Sequence, residues 1–362
     1  MRGPMPNGPR NRDLRGLMTA QPDPGLSDPD LVELGWTPFF SRQVSAAEGR
    51  AFQPVRVMSV HRGHVTVLGE GFAGSIPSRV PGGGGAEDRP TVGDWLLIDQ
   101  DGEGVVRILD RTSLFKRPAP GDDRRTQLIA ANVDTLFIVT SCNDDFNVAR
   151  IERYLVLAGE VGVRPVVVLT KADLSAAPEQ LVDAARALQA ELRVELVDGR
   201  DPASVARLAG YCGPGQTVAL VGSSGVGKST LVNTLTGSDH IATQPVREDD
   251  GKGRHTTTVR EMHRLAGGGW LVDTPGMREL QMSEVAAGVA EVFDDVTNLA
   301  LECRFTNCTH VDQPGCAIQA AMVAGELDPA RVDRWRKLAQ EDAANSDLAN
   351  VRRARQGKGG RR

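Results

Sequence analysis

Apolar and polar residues alternate with a period of two along four short runs between residues 51 and 115, PVRVMSV, HVTVLG, DWLLID and GVVRILD, separated by glycine-containing breaks. Such alternation marks half-buried strands, and the segment is expected to form a small all-β unit of about five strands, a Greek-key barrel. Within it PGGGGAEDRP (81–90) suits neither strand nor helix interior and is expected to be a flexible loop, of the kind that carries binding in OB-type barrels. From about 125 to 280 apolar runs alternate with helical stretches, the texture of an α/β domain with a mainly parallel sheet. Strands are expected at 134–141 (DTLFIVTS), 164–170 (RPVVVLT), 192–197 (LRVELV) and 217–222 (TVALVG), with helices near 148–161, 177–190 and 201–210. Beyond 281 the chain reads as helical and polar. The start, rich in Pro, Gly, Asp and Arg, shows order only at LVELGW (31–36). The expected division is a flexible tail (1–48), a β-barrel (49–117), an α/β domain (118–282), a helical domain carrying a Cys/His cluster (283–345) and a basic disordered tail (346–362).

Composition narrows the classes. Hydrophobic residues at 40% and charged residues at 25% are globular usage. Forty-two Lys and Arg against 47 Asp and Glu give a net charge of -5, so nucleic acid would have to be met by local patches. One such patch is the C-terminal RRARQGKGGRR, with six positive charges in eleven residues; cationic segments gain affinity by releasing counterions at phosphates. No apolar run approaches the ~18 to 20 residues of a membrane helix, and MRGPMPNGPRNRDLRG offers no secretory signal. A cytoplasmic protein without membrane contact is expected. Five cysteines make no disulfide framework, and three of them fall within fourteen residues beside a histidine, which points to metal in a reducing compartment. Cys142 and Cys212 read as small packing residues.

The segment Gly222-Ser223-Ser224-Gly225-Val226-Gly227-Lys228-Ser229-Thr230 follows an apolar strand and opens a helix, the context that gives G-x-x-x-x-G-K-[ST] its meaning. Its glycines let backbone N–H groups curl toward phosphate oxygens. Lys228 would reach the β- and γ-phosphates, and the Ser229 hydroxyl would ligate Mg²⁺. Downstream, Asp273-Thr274-Pro275-Gly276 ends a strand as D-x-x-G, in which Asp273 holds Mg²⁺ through water and the Gly276 N–H senses the γ-phosphate. Between them GKGRHTTT (251–258) lies where a switch threonine closes over the metal; Thr257 is chosen over Thr256 and Thr258.

The base-reading half of the sheet has to lie upstream, because only 89 residues follow Asp273 and they hold no further strand-helix-strand run. There, Thr170-Lys171-Ala172-Asp173 ends a strand as [NT]-K-x-D. Asp173 can accept the hydrogens of guanine N1 and N2, a pairing adenine cannot satisfy, while the Lys171 stem packs along the base. Val197-Asp198-Gly199 stands where GTPases often carry Ser-Ala, leaving backbone contact to guanine O6 as the surviving possibility. Base loop before phosphate loop is the order of a circularly permuted GTPase. In that order the chain leaves the second switch directly for the C-terminal domain, so hydrolysis would be able to move that domain. Further on, Cys303-x4-Cys308-x-His310-x5-Cys316 offers three thiolates and an imidazole, enough to close a tetrahedral structural Zn²⁺ site.

Together, the β-unit, TKAD, GSSGVGKST, GRHTT, DTPG, the C-x4-C-x-H-x5-C spacing and the stretch QLIAANVDTLFIVTS (127–141) resemble the RsgA (YjeQ) family over roughly residues 50–340. The resemblance implies a multidomain protein: an N-terminal all-β OB-fold barrel, a central α/β circularly permuted P-loop GTPase domain and a C-terminal helical zinc-binding domain. It further implies GTP hydrolysis to GDP stimulated by the small ribosomal subunit, late maturation of that subunit and contact with 16S-type rRNA. GTP or GDP, Mg²⁺ and one structural Zn²⁺ are the expected cofactors, and a monomer the expected state. Ras-type enzymes place a water-orienting Gln after D-x-x-G; here that position is Met277, so intrinsic hydrolysis is expected to be slow. The resemblance suggests His255 as the substitute. Competing readings are a P-loop ATPase or kinase, against which TKAD argues, and a non-enzymatic OB-plus-zinc nucleic-acid binder, against which intact Lys228, Ser229 and Asp273 argue.

Overall fold

The computed structural model describes residues 30–102, 104–118, 126–237, 260–273 and 286–341. Its first part is an antiparallel unit of β1 (Phe52–Val60), β2 (His64–Gly69), β3 (Phe72–Pro77), β4 (Trp95–Asp99) and β5 (Val105–Ile108), in the order β3-β2-β1-β4-β5. Alternate residues of these strands, among them Val55, Val57, Val65, Val67, Ile76, Leu96 and Ile98, face a core of their own. No ladder joins β3 to β5 among the described residues. The glycine-rich loop before β4, expected to be flexible, is tied down: Asp88 accepts from the N–H groups of Gly84 (3.0 Å) and Gly85 (2.6 Å). A separate hairpin, β6 (Leu114–Pro118) with β7 (Thr126–Ala131), leads onward.

Six more strands complete one continuous mixed sheet of eleven. They are β8 (Thr135–Ser141), β9 (Arg164–Thr170), β10 (Arg193–Leu196), β11 (Thr217–Val221), β12 (Arg260–Arg264) and β13 (Trp270–Asp273). Their order is β10-β9-β8-β11-β13-β12, parallel except for β12. All seven residues of β8 are buried, as its unbroken apolar reading requires of a strand covered on both faces. The two units join through β1. Its Phe52–Arg56 half pairs with β4, and Ser59 and Val60 pair with Glu261 and Arg260 of β12. A register shift between Val57 and Ser59 lies at that handover, where a bulge adds the bend.

Residues 30–48, expected within a flexible tail, are folded and correct that boundary. Besides short helices α1 (Pro38–Ser41) and α2 (Glu48–Ala51), Leu34 and Phe40 are buried and Trp36 packs edge-on against Trp95 with centroids 4.8 Å apart. The Glu33 carbonyl accepts from the Trp270 indole (2.8 Å) and from Gly215 (3.2 Å). This segment therefore clasps the β-unit to the α/β unit. Beneath it the buried Arg56 donates to the carbonyls of Leu34, Gly93 (3.4 Å) and Asn132 (3.3 Å) and to Thr217 Oγ1 (2.8 Å). Burial pulls its pKa down to about 10, which still leaves it charged at neutral pH.

Helices flank the sheet. α3 (Val148–Val161) is capped by the Asn147 side chain and stopped by left-handed Gly162. α4 (Pro178–Arg186) is shorter than expected, and the helix expected at 201–210 divides into α5 (Pro202–Val205), capped by Asp201, and a 3₁₀ stretch to Tyr211. α6 (Lys228–Thr236) follows the phosphate loop. At the C-terminal end come α7 (Ala286–Val292), α8 (Asp294–Leu301), α9 (Ala317–Ala324) and a helix at 329–341. α7 lies against α3, with Gly288 and Gly159 permitting close backbone approach. The helix at 329–341 is held by Glu152 of α3, a fully buried carboxylate accepting from Arg334 (2.6 Å) and Arg331 (3.3 Å).

Candidate functional site

The carboxyl ends of β8, β9, β11 and β13 share one edge of the sheet, where ligands bind in parallel α/β folds. The loop leaving β11 turns through Gly222 (φ 140°), Gly225 (φ 81°) and Gly227 (φ 97°), conformations that disfavour any side chain. Buried Val226 anchors the loop from beneath, while Ser224 and Gly225 are exposed. Ser229 and Thr230 form the first turn of α6. Lys228 bends back so that Nζ donates to the carbonyls of Gly222 (2.8 Å) and Ser223, holding the ammonium over the loop.

The base loop docks onto this cradle. Thr170 Oγ1 donates to the Val226 carbonyl (2.6 Å), and Nζ of Lys171, a residue in the left-handed region at φ 55°, donates to the Gly225 carbonyl (2.6 Å). Ala172 and Asp173 lie in a short 3₁₀ turn. Asp173 is exposed. The neighbouring loop runs alongside because Val197 N–H donates to the Leu169 carbonyl (2.9 Å). Thr234 Oγ1 of α6 ties it down at the Gly199 carbonyl (2.6 Å). The structure thus brings together Thr170–Asp173, 222–230 and the strand end that carries Asp273. His255, Thr257 and Gly276 lie outside the described residues.

Cys142 and Cys212 are buried packing residues. Burial, followed by the charges of Asp173 and Glu179, raises the Cys142 pKa, and burial alone pushes Cys212 up to about 12, so both stay protonated. A cavity of about 810 Å³ lies away from this edge, between the 80–88 loop, residues 107–116 and the end of α3. Its cations are engaged, Lys116 with Glu87 (2.7 Å), Arg107 with Glu48 (2.9 Å) and Arg111 with Asp94 (2.7 Å).

Cys303, Cys308, His310 and Cys316 converge, with ligand atoms all within 4.8 Å of one another. Cys303 and Cys316 Sγ are 3.9 Å apart and lie 3.4 and 3.7 Å from His310 Nδ1. Two thiolates bonded at ~2.3 Å to one tetrahedral ion stand about 3.8 Å apart, so the spacing fits four-coordinate metal. His310 sits at φ 60°, and its carbonyl accepts from Gln319 (2.9 Å) and Arg336, which fix the turn. Burial, then the Arg336 charge, lowers the His310 pKa and favours the neutral imidazole that a metal requires. Sequence reasoning missed this supporting layer, including Gln313, whose amide oxygen accepts from Thr309 N–H (2.6 Å) and Oγ1 (2.9 Å). A polar residue lodged between ligands was the available signal.

A family model described as RsgA GTPase matches residues 108–283. A small ribosomal subunit biogenesis GTPase RsgA of Mesorhizobium japonicum is 48% identical over 341 residues, covering 92% of this chain and 96% of the relative. A small ribosomal subunit biogenesis GTPase RsgA 2 of Vibrio vulnificus is 46% identical over 325 residues, covering 90% and 91%. Among solved structures, YjeQ from Thermotoga maritima aligns with a TM-score of 0.58 at 25% identity, over 80% of this chain and 98% of that one. YloQ, described as a circularly permuted GTPase, aligns with a TM-score of 0.57 at 25% identity, over 82% and 96%. With its guanine-type loop seated on the phosphate loop that follows it in the sequence, this chain belongs to the RsgA family of GTPases.

Proposed function

We propose that this protein hydrolyses GTP during late maturation of the small ribosomal subunit, docking on the subunit's 16S-type rRNA and turning over faster when docked. The observation that carries the reading is the pair of hydrogen bonds from Thr170 and Lys171 into the phosphate loop, which sets Asp173 beside a phosphate cradle. Relatives sharing nearly half its residues are named for small-subunit biogenesis. Lys228 neutralises the β- and γ-phosphates, while the backbone N–H groups of the loop and of the α6 N-terminus bind their oxygens.

Ser229, Thr257 and Asp273 would hold Mg²⁺, which when bound offsets the negative charge of the phosphates. The positions of two of them in the chain support this: Ser229 lies in the first turn of α6, and Asp273 ends the strand beside β11. His255 orients the attacking water, a role Met277 cannot take. Cys303, Cys308, His310 and Cys316 hold one structural Zn²⁺, for which the three-sulfur, one-nitrogen donor set is suited. The five-stranded unit serves as an OB-fold that meets rRNA, with the basic C-terminal tail adding phosphate contacts. The protein acts as a cytoplasmic monomer; no helix among the described residues is long and apolar enough to cross a membrane. The test is multiple-turnover hydrolysis of GTP with and without small subunits, with ATP as the control. Stimulation confined to GTP is expected, and its loss in His255→Ala. Equal hydrolysis of ATP would overturn the base assignment, and GTP turnover indifferent to subunits would overturn the ribosomal one.

A further inference from the structure

The loop after β10 departs from the Ser-Ala usual in GTPases and reads Asp198-Gly199-Arg200. Its side chains form a closed fork: Arg200 Nε donates to Asp198 Oδ1 (3.0 Å), Nη2 donates to Oδ2 (3.1 Å), and the Arg200 backbone N–H also donates to Oδ1 (3.0 Å). The Asp198 backbone N–H is fixed in turn by Ser204 Oγ (2.9 Å). β9 and β10 are parallel neighbours, paired through Leu169 and Leu196, so Asp173 and Arg200 leave the same sheet edge on adjacent loops. The hydrogen bonds and charge of Asp198, and then the charge of Asp173, raise the Arg200 pKa.

We infer that Asp198 and Arg200 form a specificity element of the guanine site, Asp198 holding the Arg200 guanidinium at the O6/N7 edge of the purine and off the Asp173 carboxylate. The inference rests on the guanine reading of Asp173. A carboxylate that must accept from guanine N1 and N2 cannot also be occupied by an arginine. Freed of Asp198, Arg200 would have the Asp173 carboxylate on the adjacent loop as an acceptor, and a bidentate Arg–carboxylate pair there would close the base site. Held by Asp198 through Nε and one N–H of Nη2, Arg200 keeps the second N–H of Nη2 and both of Nη1, the end-on fork, for other acceptors. Guanine offers two acceptors on that edge, O6 and N7, the pair arginine reads in nucleic acids, whereas adenine presents a 6-amino donor. Asp198 is therefore a positioning residue and Arg200 a specificity residue.

The test is displacement of a fluorescent GDP analogue from the full-length protein by GDP, IDP and XDP, for Asp198→Ala, Arg200→Ala, the double variant, Arg200→Lys and Asp173→Asn. Asp198→Ala is expected to weaken GDP about tenfold, the scale of a hydrogen bond to a charged group. Arg200→Ala is expected to weaken GDP less, and IDP by the same factor, because IDP keeps O6 and N7. The double variant is expected to match Arg200→Ala, since without the arginine Asp198 has nothing to restrain, and Arg200→Lys to recover part of the loss. Additive losses in the double variant, or GDP binding unchanged in Asp198→Ala, would overturn the inference. Asp173→Asn separates the two levels: a shift from GDP toward XDP upholds the guanine reading on which the inference rests, and unchanged GDP binding overturns both. Both side chains of the fork are largely solvent-exposed, so the variants are expected to fold, as thermal unfolding would verify.

Discussion

Alanine at Gly222 and alanine at Gly225 are chemically identical changes three residues apart, yet they should have different consequences. Gly222 sits at φ 140°, and a Cβ built there would lie 2.1 Å from the Val139 carbonyl oxygen of β8. That oxygen belongs to backbone in a buried central strand and has no rotamer through which to yield. Forcing a side chain into this region of φ costs about 1–3 kcal/mol, and overpacking against fixed neighbours costs about 1–3 more. Gly225, at φ 81°, has no atom within 4 Å of the corresponding position; Gly225→Ala should cost about 1 kcal/mol, from backbone preference alone. Hydrogen exchange at β8 and β11 should separate the two. Amides in the Leu220–Phe137 and Val221–Ile138 register should lose protection in Gly222→Ala and keep nearly all of it in Gly225→Ala. GDP affinity should fall in both, because both glycines shape the phosphate cradle. Equal loss of protection in the two variants would refute the claim that β8 and the phosphate loop meet backbone to backbone.

Lys171→Met removes the donor to the Gly225 carbonyl and should weaken GDP about tenfold with little change in thermal stability, read by nucleotide titration and unfolding in parallel. Metal analysis should find one zinc per chain. Cys316→Ser should release it and loosen the segment from α8 to α9 while nucleotide binding persists, and a full zinc complement in that variant would count against the site. Glu152→Gln leaves Arg331 and Arg334 facing a neutral group in a buried setting and should cost about 3 kcal/mol, read as a lower urea midpoint. Leu34→Ala should cost about 2–5 kcal/mol if the N-terminal clasp is part of the core, and an unchanged midpoint would place the clasp outside it.

The parts legible in the sequence were those whose environment is uniform along the segment. β8, β9 and β11 are buried on both faces, so their residues form unbroken apolar runs, and the phosphate loop needs glycines that no other residue replaces. β12 was missed because only Met262 of Arg-Glu-Met-His-Arg is buried, which leaves no apolar period to read. β3 was missed for a similar reason: in Phe-Ala-Gly-Ser-Ile-Pro only Ile76 is buried. The clasp at 30–48 is held by a few anchors, Leu34, Phe40 and the Trp36–Trp95 contact, whose partners lie far away in sequence. The same holds for the site. Its motifs were readable residue by residue, but the fork of Asp198 and Arg200 depends on side-chain geometry, and the docking of Lys171 on Gly225 joins residues 54 apart.

Permutation changes what the two segments proposed as switches are attached to. In the nucleotide-binding sheet β12 is the outer strand, and an outer strand presents unpaired backbone groups. Here β1 takes up that edge, so the strand that follows the 238–259 segment is hydrogen-bonded to the β-unit at Ser59 and Val60. On the other side, the chain after β13 resumes as α7, which lies on α3 where Gly288 and Gly159 allow the backbones to approach closely. α3 is itself bound through Glu152 to the helix at 329–341. The described elements on both sides of the nucleotide edge, β12 and α7, are therefore packed onto the rest of the molecule. A C-terminal domain that moved on hydrolysis would have to carry α3 with it or slide α7 along α3, and sliding strains the buried contacts of Glu152 with Arg331 and Arg334. Displacement of the β-unit would likewise reach β12 through backbone hydrogen bonds, which would couple the proposed rRNA-binding unit to the strand that follows residues 238–259.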